Sequence, residues 1–184
     1  MCPKGCSTPA PPTSTAPTSG PLIQTCPDSP PYEPARWNSP PVINSTNCYA
    51  YAANDPDGHP PGKPQPGEHC GHPSASADDC ASVGAGAVCD GMVVAPKPPA
   101  CKPGYYVVAL VLDPGVDYHW YRQDDNGLWS HKPGNTAVRN VDASGNQITN
   151  PETANRNYSA NGGPNYSAFC GYYYVPKAGI RTGP

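Results

Sequence analysis

Tyr105-Tyr106-Val107-Val108-Ala109-Leu110-Val111-Leu112, then Asp113-Pro114-Gly115, then Tyr118-His119-Trp120-Tyr121-Arg122-Gln123, is the stretch that decides the fold. Eight apolar, mostly β-branched and aromatic residues in a row have the length of one buried strand. They fall well short of a membrane-spanning helix. Asp-Pro-Gly is a turn, because Pro presets φ and Gly accepts a positive one. The second run is therefore the next strand. Asp124-Asp125-Asn126-Gly127 carries the Asn-Gly hairpin signal, so Leu128-Trp129-Ser130-His131 returns antiparallel until Lys132-Pro133-Gly134 ends it. Residues 140–165, rich in Asn, Gly, Ser and Thr, read as a long surface loop, and Tyr166 to Val175 as a last strand.

Upstream, Ser45-Thr46-Asn47 supplies three competent helix caps ahead of Cys48-Tyr49-Ala50-Tyr51-Ala52-Ala53. The Ala-rich run favours about two helical turns, stopped by Asp55-Pro56-Asp57-Gly58, with Cys48 in the first turn. A polar, Pro-rich insertion covers Gly58 to Pro73, and residues 75–88 read as a second helix. Residues 1–45 hold 12 of the 28 prolines and should be an extended, polyproline-like or irregular arm, docking at Trp37 and Pro41-Val42-Ile43-Asn44. The domain proper then spans 46–184, with a Cys-rich insertion at about 58–101.

Composition narrows the function classes. Leu, Ile, Val and Phe are scarce, which argues against a large helical core. Twelve Tyr and 3 Trp with a net charge of only −3 argue against a fully disordered chain. There is no basic run or stripe, so neither nucleic acid nor an anionic membrane is expected as a partner. Nine cysteines beside a thin aliphatic core point to a disulfide framework and an oxidising, secreted or extracytoplasmic setting, although no signal peptide is visible. A zinc site from Cys70, Cys80, Cys89 and Cys101, with His69 or His72, is the rival reading. The lack of any Cys-x2-Cys pair argues against it, so no metal and no cofactor are expected.

An odd cysteine count leaves one thiol over. Cys48 is singled out by its place at a helix N-terminus, where the helix dipole favours the thiolate. His119 and His131 lie 12 residues apart on the two arms of the predicted hairpin. If they share a face, one imidazole can orient the other, as a nucleophile–base–orienter set requires. His59, His69 and His72 fall in the polar insertion and read as solvated.

The order Asn47-Cys48-Tyr49-Ala50-Tyr51, Lys102-Pro103-Gly104 before an apolar strand, His119 on a strand and His131 across a Gly turn resembles the NlpC-type cysteine peptidases of the papain-like superfamily. It departs from them at Asn47, Tyr49-Ala50, Tyr105 and Trp120-Tyr121. The resemblance implies an α+β, papain-like fold, with short N-terminal helices packed on an antiparallel sheet. It also implies an exported cysteine hydrolase that cleaves an amide bond in a peptide, for which peptidoglycan stem peptide is the family precedent. Cys48 would be the nucleophile, His119 the base and His131 its orienter, with Asn135, Asn140 and Asp142 as alternative orienters. Tyr49, Tyr118, Trp120 and Trp129 would line a substrate groove or belong to the core. A fainter likeness, carried by the Cys- and Pro-rich style and by Asn47-Cys48-Tyr49-Ala50-Tyr51-Ala52, is to secreted matrix proteins of mollusc shells. It implies the alternative of a secreted, disulfide-rich structural or binding protein on a degenerate papain-like fold.

Overall fold

The computed structural model describes residues 24–57, 63–72 and 79–184. The first 23 residues of the expected arm, His59 and the first turn of the helix expected over 75–88 lie outside them. Among the described residues there are four short α-helices: α1 (Pro34–Trp37), α2 (Val42–Ser45), α3 (Cys48–Ala52) and α4 (Cys80–Cys89). The strands are β1 (Val93–Val94), β2 (Tyr105–Asp113), β3 (Asp117–Gln123), β4 (Trp129–Ser130) and β5 (Ala168–Pro176). They form one antiparallel sheet in the order β1-β5-β2-β3-β4. The α+β class with short helices on an antiparallel sheet agrees with what the resemblance implies.

β2 is central and covered on both faces, which explains its unbroken apolar run. Tyr106, Val108, Leu110 and Leu112 face α3 and α4, packing with Tyr49, Val83, Ala87 and Trp120. Val107, Ala109 and Val111 face the other way, toward Tyr121, Trp129, Ile148, Tyr166 and Tyr172. The loop that the polar sequence of 140–165 suggests is thereby a cover for the second face, with Ile148 1% exposed. Aromatic rings supply much of the volume that aliphatic side chains supply elsewhere.

Irregularities in the sheet have local causes. Leu110 pairs with Gly171 while Val111 pairs with Phe169, so Cys170 is the extra residue of a β-bulge. Gly171 takes the positive φ of +139° that this bulge needs. Cys170 is bonded to Cys80 at the start of α4, which ties that helix to the sheet. Two further disulfides, Cys26–Cys101 and Cys70–Cys89, hold the Pro-rich segment and the 63–72 segment. Six of the nine cysteines are therefore paired and Cys48 is free, while Cys2 and Cys6 lie outside the described residues.

Residues 24–45 are anchored by aromatic and charged contacts. Trp37 is fully buried edge-on against Tyr51 at 4.8 Å. The Arg122 side chain, also buried, donates to Pro31 O, Tyr51 Oη and Asp124 Oδ1. The β3–β4 hairpin thus holds the incoming chain in place.

Candidate functional site

α3 begins where Asn47 caps it. The Asn47 Oδ1 accepts the N–H groups of Tyr49 and Ala50, and its Nδ2 donates to Pro64 O at 2.9 Å. The cap fixes Cys48 as the first helical residue, against the start of β3. A cavity of about 270 Å³ opens there, with Cys48, Gln65, Asp117, Tyr118, His119 and Tyr166 in its wall. The Tyr118 hydroxyl donates to Gln65 Oε1 at 2.6 Å, and the Tyr166 hydroxyl to Asp117 Oδ2 at 2.8 Å.

The two histidines meet as the hairpin register requires. Arg122 pairs with Ser130, and carrying that register one step further sets His131 beside Tyr121. His119, two residues along from Tyr121, is then its diagonal neighbour on the same face. His131 Nε2–H donates to Val141 O at 3.1 Å, which leaves His131 Nδ1 as an acceptor. His119 Nε2–H donates to it at 2.8 Å. The Tyr166 ring stacks on His119 with centroids 5.2 Å apart. Burial holds His119 well below the ordinary histidine range, with His131 a secondary cause. Burial likewise lowers His131 to about 4, against the Val141 carbonyl, which favours the charged form. Both rings are therefore neutral at pH 7.

Cys48 is a buried thiol, 6% exposed. Burial, helped by nearby Asp117, pushes it up to about 12, and the Trp120 backbone N–H offsets only part of this. The depressed pKa expected at a helix start does not materialise, because α3 has only five residues and the sulfur is desolvated. No hydrogen bond joins Cys48 Sγ to either imidazole among the described residues.

The other residues picked from the sequence scatter. Asn135 is exposed and Asn140 half-buried, while Asp142 Oδ1 and Oδ2 accept backbone N–H groups of Ser144, Asn146 and Asn155. His131, not one of these three, is the group bonded to His119. Tyr49, Trp120 and Trp129 are fully buried core residues on the two faces of the sheet, and of the four aromatics only Tyr118 reaches the cavity. Tyr49 instead donates to Asp90 Oδ2 at 2.7 Å. Tyr166 and Lys132 carry no functional signal in the sequence. Lys132 read as part of a turn, yet its buried Nζ donates to the carbonyls of Ile43, Thr46 and Gly134, each at 2.8 Å. Ile43 and Thr46, like Asp117 beside Tyr166, are remote in sequence from the side chains they receive, so no local pattern announces them. No group of three or more His, Cys, Asp or Glu able to hold a metal occurs among the described residues.

Comparison with known proteins decides between the two resemblances. Insoluble matrix shell protein 1 of Ruditapes philippinarum is 38% identical to this chain over 151 residues, which cover 82% of this chain and 93% of the relative. The chain belongs to the family of that shell matrix protein. No protein-family model matches the chain, and no solved structure does. The expectation of a cysteine hydrolase acting on a peptide or on peptidoglycan is corrected by this relationship, since the relative is a matrix protein of the shell. The raised Cys48 thiol agrees with the correction. Three disulfides and the shell matrix relative point to an extracellular protein. Among the described residues no helix is long and apolar enough to cross a membrane.

Proposed function

We propose that the protein is an extracellular structural component of an insoluble matrix, built on a degenerate papain-like scaffold. The 38% identity to a shell matrix protein over most of both chains carries this reading. Disulfides that bind α4 to β5 and the 63–72 segment to α4 suit a component that must keep its shape outside the cell. The scaffold part of the proposal is supported by a helix-initial Cys48 packed near His119, with His131 bonded behind it. On this reading the three residues serve packing and hydrogen bonding. The test is where the protein resides. Antibodies against the folded chain should stain the extracellular matrix of the producing tissue. They should also detect the chain in the residue that resists extraction with salt and acid. Recovery wholly in the cytosolic fraction would overturn the proposal.

A further inference from the structure

Three of the 13 asparagines open an Asn-X-Ser/Thr triplet without a central proline: Asn44-Ser45-Thr46, Asn157-Tyr158-Ser159 and Asn165-Tyr166-Ser167. This triplet is the acceptor for N-linked oligosaccharide in secreted proteins, and the folded chain must present the asparagine to solvent. All three are exposed. Other asparagines put their amides to structural use. Asn47 Nδ2 donates to Pro64 O, and Asn155 Nδ2 to Ser144 Oγ. Asn157 uses only its Oδ1, which accepts the Ser159 N–H at 3.1 Å, and this leaves Nδ2 uncommitted among the described residues. Neither Asn44 nor Asn165 makes a side-chain hydrogen bond among the described residues.

The backbone around them is surface turn. Asn157 and Asn165 face each other across an isolated antiparallel bridge, at the base of a loop that makes a 3₁₀ turn at Ser159–Asn161 and reverses at Gly162, φ +73°. Asn44 lies in the single turn α2. Pro164 and Tyr166, on either side of Asn165, both line the cavity beside Cys48.

We propose that Asn44, Asn157 and Asn165 are attachment sites for N-linked oligosaccharide. The donor is an oligosaccharide on a polyprenyl pyrophosphate. The sugar C1–N bond to Nδ2 forms and the C1–O bond to pyrophosphate breaks. Nδ2 gives up a proton and the pyrophosphate leaves with the electron pair. A glycan on Asn165 stands at the rim of the cavity and screens it from macromolecular partners. The proposal rests on the extracellular reading above, because the transfer takes place in the secretory lumen.

To test it, the full chain is directed into the secretory pathway of cultured animal cells by a cleavable leader. The expected product is a secreted, disulfide-bonded protein that loses mass on treatment with peptide-N-glycosidase. Peptide mapping should find Asn44, Asn157 and Asn165 converted to Asp. Asn44→Gln, Asn157→Gln and Asn165→Gln should each remove one step of the mass loss. Ser167→Ala should remove the Asn165 step while keeping that asparagine. A secreted, disulfide-bonded protein with no enzyme-sensitive mass overturns the proposal and leaves the extracellular reading standing. A site that stays unmodified in the secreted parent is struck from the assignment. A chain that never reaches the medium, or arrives with Cys26, Cys70 and Cys80 reduced, overturns the extracellular reading and the proposal with it.

Discussion

Cys48 shows how burial outweighs helix position. A thiol pushed up to about 12 leaves roughly one part in 10⁵ as thiolate at pH 7. Iodoacetamide at neutral pH should therefore leave the Cys48 peptide of the native protein unmodified for far longer than the same peptide in denaturant. Rapid labelling of native Cys48 would contradict the burial. His131 gives a second expectation. Its folded value is about 4 against 6.5 for an ordinary histidine, so between those pH values the unfolded chain takes up a proton that the folded chain refuses. Stability then falls as pH drops through that window, by about 3 kcal/mol for this group. Denaturant midpoints measured from pH 7 to 4 should fall at least that steeply, since buried His119 contributes with the same sign, and His131→Gln should lessen the fall; an unchanged slope would count against a neutral buried pair. The His119–His131 contact was legible in the sequence because hairpin register is set locally by Asn126-Gly127. The state of the Cys48 thiol was not, since it depends first on burial and then on Asp117 and Trp120, all of which only the tertiary fold supplies.

At the scale of elements, β2, β3 and the cap of α3 were readable because each signal is short-range: an apolar run, a turn, an Asn before an Ala-rich stretch. β1 has two residues and carries no periodicity, and its place beside β5 is set wholly by tertiary pairing. The helix expected over 75–88 is described over Cys80–Cys89, where Asp79 Oδ1 accepts the Ser82 N–H. This helix has small residues where it meets the sheet, including Gly84 under the Tyr173 hydroxyl, so packing area alone holds it weakly. The Cys80–Cys170 bond supplies the rest. Its closed loop of 90 residues implies that replacing both cysteines by Ala lowers stability by about 4.6 kcal/mol. Urea unfolding of the double variant checks this, and a loss under about 1 kcal/mol would show that α4 is held by packing alone.

For the whole molecule, Arg122 joins the Pro-rich segment 24–45 to the sheet. That guanidinium bonds Pro31 O on one side and Tyr51 and Asp124 on the other. Arg122→Met strands the buried Asp124 and should lower stability by about 3–5 kcal/mol, read as a shift of the single urea transition. Restoration of part of the loss by adding Asp124→Asn would separate the stranded charge from the lost packing. Cysteine count beside scarce aliphatics foretold a thin core supplemented by disulfides. Which cysteines pair was beyond the sequence, because eight allow 105 arrangements.

The pairing has a mechanical consequence. Cys26–Cys101 and Cys80–Cys170 interleave along the chain. Tension applied at both ends of an unravelled chain therefore runs into Cys26, across to Cys101, back to Cys80 and out through Cys170. The stretch that can lengthen between Cys26 and Cys170 is roughly 20 residues, about 70 Å of contour, whereas the reduced chain would give almost 500 Å. Pulled singly in a force spectrometer, the oxidised protein should yield a short, stiff extension that a reductant converts to a long one. A link of this kind passes load on to its neighbours while scarcely lengthening itself.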